Sequence, residues 1–197
     1  MPLFTKRHTG VSYIVVFLGN PGARYNGTRH NAGYMCGDAL SKSLGIKIDR
    51  LKHKSLTARA EIGGAGVLLM KPQTYMNLSG EAAADAMRYY KVPPERLLAV
   101  SDDIALPLGK LRVRRDGSAG GHNGLRDISE KCGGDGFPRV RIGVGGKPNA
   151  ELDTADWVLS AFTGFDRSEM ERAAARAADC VRCIIEQGLD AAMQKYN

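Results

Sequence analysis

Two histidines, an aspartate and four asparagines stand on polar loops or at the end of an apolar run. Asn20, His30 and Asn31 fall in "GNPGARYNGTRHNAG" (19–33) and Asn77 in "PQTYMNLSG" (72–80). Asp102 stands next to last in "LLAVSDD" (97–103), and His122 and Asn123 lie in "DGSAGGHNG" (116–124). An imidazole can take a proton near neutral pH, and a neighbouring carboxylate fixes its tautomer and stabilises its charged form. A carboxamide both donates and accepts, which suits it to holding a water or a developing oxyanion. The set is therefore capable of general-base hydrolysis with neither a metal nor a covalent intermediate. Structural alternatives stand beside this reading: Asn20 and Asn123 as turn residues, His30 as a helix-start residue, Asp102 as a cap or strand end, and Tyr25 and Tyr75 as packing residues. Other chemistries lack their motifs. The chain holds no GxxxxGK[ST], GxGxxG or GxSxG, and its four histidines form no HxxxH pair, so no metal site is expected.

Loops of this kind need elements to hold them. The continuous apolar run "YIVVFLG" (13–19) predicts a strand buried on both faces. Ala32, Met35, Cys36, Ala39, Leu40 and Leu44 recur at helical spacing from Asn31, and Gly45 suits the C-terminal cap. Segments 55–63 and 66–72 read as a hairpin. Ser79 is a candidate cap for a helix over 80–90, which Pro93 and Pro94 end. Strands are expected at 97–103, 110–115 and 139–145, with a short helix over 125–133 between the last two. A long helix is expected from Asp166, with Asp166 and Glu169 as a capping-box-like pair, to Gln187. This order predicts a single-domain three-layer α/β sandwich, its twisted, mixed, largely parallel central sheet flanked by helices. Ligands of such folds gather at the carboxyl ends of the strands, where all the polar loops are expected.

The 197 residues, 43% hydrophobic and 25% charged, suit one domain, with residues 1–12 as an N-terminal extension before a catalytic domain over 13–197. No apolar stretch is long enough for a membrane span and "MPLFTKRHTG" has no signal-like apolar region, so a cytoplasmic protein with no membrane partner is expected. Cys36, Cys132, Cys180 and Cys183 are too scattered for a disulfide framework, and the Cys180/Cys183 pair reads as helix packing. Much of the net charge of +7 sits between Pro107 and Lys147, which hold nine basic and four acidic residues. Such clustering suits a polyanion such as nucleic acid, although a solvated basic face would look the same.

"FLGNPGARYNGTRHNAG", "KPQTYMNLSG", "SDDIALPLGKLRVR", "GSAGGHNGLRDI" and "RVRIGVG", in that order, closely resemble the bacterial peptidyl-tRNA hydrolase family. The resemblance implies an enzyme that cleaves the ester between peptide and tRNA in prematurely released peptidyl-tRNA. It further implies His30 as the base that activates water, Asp102 as the carboxylate that orients it, and Asn20 as the residue that tells N-blocked from free aminoacyl groups. Asn77 and Asn123 would hold the substrate end and the water, with Tyr25, Tyr75, Met76 and His122 around them. Arg112, Arg114 and Arg141 would face tRNA phosphates. Peptidyl-tRNA is the implied partner, not DNA, and a monomer without cofactors is expected. A non-catalytic RNA-binding relative and a general esterase remain the alternatives; keeping His30, Asp102, Asn20, Asn77 and Asn123 favours the enzyme.

Overall fold

A computed structural model describes residues 10–197, so most of the N-terminal extension lies outside the described residues. Strand β1 (Tyr13–Phe17) is the β-branched run and is buried from Ile14 onward. It lies between two parallel neighbours, β4 (Ala65–Pro72) and β5 (Leu97–Asp103), and β5 pairs in turn with parallel β7 (Arg139–Gly143). Antiparallel strands finish both sides: β2 (Arg50–Lys52) and β3 (Ser55–Ile62) beyond β4, and β6 (Leu111–Arg114) beyond β7. The sheet order is β2-β3-β4-β1-β5-β7-β6.

Alternation along the strands separates two apolar layers. Val15, Phe17, Leu69, Val100, Val140 and Ile142 face α1 (Ala32–Leu44), α5 (Gly164–Gln187) and α6 (Leu189–Tyr196). Ile14, Val16, Leu68, Met70, Leu97 and Ala99 face α2 (Ser79–Tyr90) and α3 (Asn123–Lys131). The three-layer expectation holds, with the parallel strands in the centre. All four cysteines are free and buried. No helix among the described residues is long and apolar enough to cross a membrane.

Several local expectations change. Ser79 does not cap α2: its hydroxyl donates to the Met76 carbonyl, and the Asp127 carboxylate accepts from the Gly80 N–H instead, at 2.7 Å. Asp166 and Glu169 form no capping box; α5 begins two residues earlier, and Asp166 pairs with Arg29. Strand β2 escaped the sequence reading because its hairpin turn, His53-Lys54, carries none of the usual turn residues, although both residues have φ of 52°. The short helix α4 (Thr154–Leu159), capped by Asp153, was also unanticipated. Finally, β6 is antiparallel, so its carboxyl end lies at the opposite end of the sheet from those of β1 and β5. The following loop climbs back along β7: the buried Arg139 guanidinium donates to the carbonyls of Gly117 and Ser118, and the Arg141 side chain approaches Gly120. His122 thereby reaches the carboxyl end of β5. At the outer edge of β6, the Asn197 carboxamide accepts from the Val113 N–H and donates to the Val113 carbonyl.

Candidate active site

The cleft lies at the carboxyl end of the central strands and has a volume of about 830 Å³, within the range of small-molecule sites. One wall is built from Asn20, His30, Asp102, His122 and Asn123 with Tyr75, Met76 and Asn77; the other comes from α4 through Thr154, Ala155, Val158 and Leu159. Arg141, Asp103, Ile104, Gly120 and Gly121 complete the lining. Tyr25 is not among the lining residues; its hydroxyl accepts from Arg24 instead, at 2.6 Å. Arg112 and Arg114 also lie outside the cleft, on β6.

His30 sits in a short helical turn (Arg29–Asn31) that leads into α1. This entry packs closely on the sheet, because a Cβ at Gly33 would collide with the carbonyl oxygens of Leu18 and Val100. Such a close approach requires glycine. It brings the His30 Nδ1 to 2.8 Å from Asp102 Oδ1. His122 Nε2 lies 2.9 Å from the same oxygen. The other His122 nitrogen, Nδ1, accepts from the backbone N–H groups of Gly124 and Leu125 and so caps α3. A nitrogen that accepts does not donate, so His122 donates to Asp102 through Nε2. His30 likewise offers its Nδ1 proton to the carboxylate, which leaves its Nε2 as the basic nitrogen.

Burial alone would raise the Asp102 carboxyl, but His122 and His30 outweigh it and hold the group well below the usual carboxylate range. Asp102 is therefore ionised although only 3% exposed. The ligand atoms of His30, Asp102 and His122 lie within 4.8 Å of one another, so this trio is also where a divalent ion would find donors. As they stand, the hydrogen bonds to the carboxylate and to the α3 backbone satisfy the same atoms.

Asn20 is held on three sides. Its backbone N–H donates to Asn31 Oδ1 and its carbonyl accepts from Asn31 Nδ2, while its own Oδ1 accepts from the Met76 N–H, each at 2.8 to 3.0 Å. Its NH₂ group makes no hydrogen bond among the described residues. Tyr75, Asn77 and Asn123 are exposed at the rim, while Met76 is buried beneath it.

The second wall had no counterpart in the sequence reading. Arg29 anchors it: its guanidinium stacks 3.7 Å above the Trp157 ring and 4.8 Å from the Phe162 ring, and donates to Ser160 Oγ and the Ala161 carbonyl. "LDTADW" does contain a signal for α4, since Asp153 is a good cap residue followed by Asp156 in the first turn.

Known proteins carry the same framework. The family model described as peptidyl-tRNA hydrolase matches residues 14–197. A peptidyl-tRNA hydrolase of Caldanaerobacter subterraneus subsp. tengcongensis is 49% identical over 185 residues, covering 94% of this chain and 99% of that protein. One from Carboxydothermus hydrogenoformans is 48% identical over the same length, covering 94% and 98%. The crystal structure of peptidyl-tRNA hydrolase from Acinetobacter baumannii superposes with a TM-score of 0.88 at 34% identity, covering 96% of this chain and 97% of that one. With a framework and sequence shared over nearly its whole length, the chain belongs to the peptidyl-tRNA hydrolase family.

Proposed function

We propose that this protein hydrolyses the ester between the peptide and the tRNA ribose in peptidyl-tRNA, with His30 Nε2 as the general base, and so returns tRNA to protein synthesis in the cytoplasm. The observation that carries this reading is the Asp102 oxygen shared by two imidazole nitrogens, which leaves one basic nitrogen at the cleft. Water beside His30 loses a proton to Nε2 and attacks the scissile carbonyl. The proton then passes to the departing ribose oxygen, giving a peptide carboxylate and free tRNA. Asp102 stabilises the imidazolium that forms in between, and His122 keeps that carboxylate in place.

The Asn20 NH₂ is a donor for the substrate's acyl portion, and Asn77 and Asn123 hold the substrate end and the water. Tyr75 and Met76 line the passage. Tyr25, outside the cleft, serves the tRNA-linked portion or the loop itself. Arg112 and Arg114 supply cationic contacts for tRNA phosphates. Arg141, whose Nε lies 3.0 Å from Asp103 Oδ2, contributes a charge already shared with that carboxylate.

In this scheme no metal takes part. His30→Ala should lower kcat by ~10²- to 10⁴-fold, the usual worth of a general base, while tRNA binding persists. Wild-type turnover should be insensitive to a chelator. Undiminished turnover in the variant would remove His30 from the mechanism, and inhibition by the chelator would remove its metal independence.

A further inference from the structure

A second concavity, of about 440 Å³, lies away from the cleft, between the β2–β3 hairpin and the C-terminal end of α2. Lys47, Arg50, Lys52 and Arg59 line it against a single acid, Asp49, and none of the four has a carboxylate partner among the described residues. Tyr90 forms part of its wall. Lys52 Nζ lies 3.3 Å from the Tyr90 hydroxyl and 3.8 Å above the Tyr89 ring, and the Arg59 guanidinium lies 5.3 Å from the Tyr90 ring. Burial would raise the Tyr90 hydroxyl, but the Arg59 and Lys52 donors outweigh it and lower the group. Tyr89 itself is 62% exposed.

The register shows which side of the sheet this pocket occupies. Directly paired residues project from the same face. Arg50 pairs with Thr57, Thr57 with Met70, Met70 with Val16, Val16 with Ala99, Ala99 with Arg139, and Arg139 with Arg114. The basic pocket and the arginines of β6–β7 are thus the two margins of one face, six strand spacings or about 29 Å apart, with α2 and α3 between them. Cations beside one exposed tyrosine, Tyr89, and one half-buried, Tyr90, combine what a single-stranded nucleic acid requires, charge for its phosphates and a ring for its base.

We propose that this pocket binds a nucleotide of a single RNA strand, its phosphate among Lys47, Arg50 and Arg59 and its base against Tyr89 and Tyr90. The site is separate from ester cleavage, because none of these residues reaches the cleft. It does not depend on the hydrolytic reading.

Titrating isotope-labelled protein with a single-stranded octaribonucleotide that carries no ester, and separately with AMP and with inorganic polyphosphate, tests this by NMR. The octamer should shift the backbone signals of Lys52, Arg59, Tyr89 and Tyr90, and should bind more tightly than AMP. Lys47→Glu, on an exposed loop, and Arg50→Glu should each weaken that binding about tenfold. Both variants should hydrolyse a short N-acetylaminoacyl ester without an RNA body as wild type does, which separates this site from the catalytic one. Absence of octamer-induced shifts in the wild type overturns the proposal. So does equal affinity for AMP, which would make this a mononucleotide site, or for polyphosphate, which would make it charge alone.

Discussion

The division of labour between the two histidines at Asp102 rests on what each ring does with its second nitrogen. His122 spends Nδ1 on the start of α3, so protonating that atom would break a helix cap; His30 has no such tie. Asp102 is the group both depend on, and its depressed carboxyl fixes the sign of a pH effect. A lowered folded-state value stabilises the fold at pH values above the unfolded carboxyl, about 3.9, and this contribution is lost as pH falls through the folded value. Asp102→Asn removes the contribution, so the gap in thermal stability between wild type and variant should be full at pH 7 and narrow below about pH 4. Parallel acid unfolding of the two proteins would show that the carboxylate is not linked to folding. The same variant should lose turnover at neutral pH, because an amide cannot offset the imidazolium charge. Asn20 makes a further case. Its Oδ1 is engaged with Met76, and Asn20→Asp keeps that acceptor while replacing the NH₂ donor with a carboxylate oxygen. The change gives a free aminoacyl ammonium the counter-charge it otherwise lacks. The ratio of kcat/KM for N-acetylated over free aminoacyl-tRNA should therefore fall, by an amount worth ~1–3 kcal/mol. A wild-type ratio in the folded variant would place selectivity elsewhere.

Arg29 and α4 show how elements can be joined without any sequence periodicity to announce it. The 19–33 loop was legible because its residues are chemically unusual, and the central strands because "IVVF" and "LLAV" are apolar throughout. The wall made by α4 was not, since α4 has six residues and buries only Val158 among them. Its position depends on a guanidinium more than 120 residues away in sequence. The direction of β6 was equally hidden: "KLRVRR" alternates as any half-exposed strand does, and alternation says nothing about which way the strand runs. Burial lowers the Arg29 guanidinium, with Asp166 acting against it, and Ser160 Oγ and the Ala161 carbonyl accept its hydrogen bonds. Arg29→Met should cost about 2 kcal/mol, as loss of a charged hydrogen-bonding group does. Arg29→Lys should rescue little, since one ammonium cannot cover the same spread of acceptors while stacking on Trp157. Hydrogen exchange should accelerate in 155–160 of the methionine variant and stay unchanged in β1 and β5. Uniform acceleration across both regions would mean that Arg29 serves global stability and not the wall.

Across the whole molecule, charge is distributed by strand register. Arg112 stands opposite Arg141 and Arg114 opposite Arg139, an arrangement that would be unfavourable were all four free. Two are not free: Arg139 is buried against carbonyl oxygens and Arg141 lies beside Asp103. Arg112 and Arg114 have no carboxylate partner among the described residues. Arg112→Glu with Arg114→Glu should weaken tRNA binding and make its log–log salt dependence shallower, by roughly 0.7 to 0.9 for each phosphate that the protein no longer neutralises. Cleavage of a short ester should be unaffected; if it falls equally, the arginines support the cleft or the fold. The small contact at the far side of this ribbon has a different consequence. An outermost strand is an invitation to another chain, because its unpaired backbone groups can template a foreign strand. In β6 the Asn197 carboxamide occupies both hydrogen-bonding groups of Val113, imitating one rung of a neighbouring strand that does not exist. With only four residues in β6 and that rung taken, little continuous ladder is left for a second copy to extend, and one side chain guards the sheet against sticking to itself.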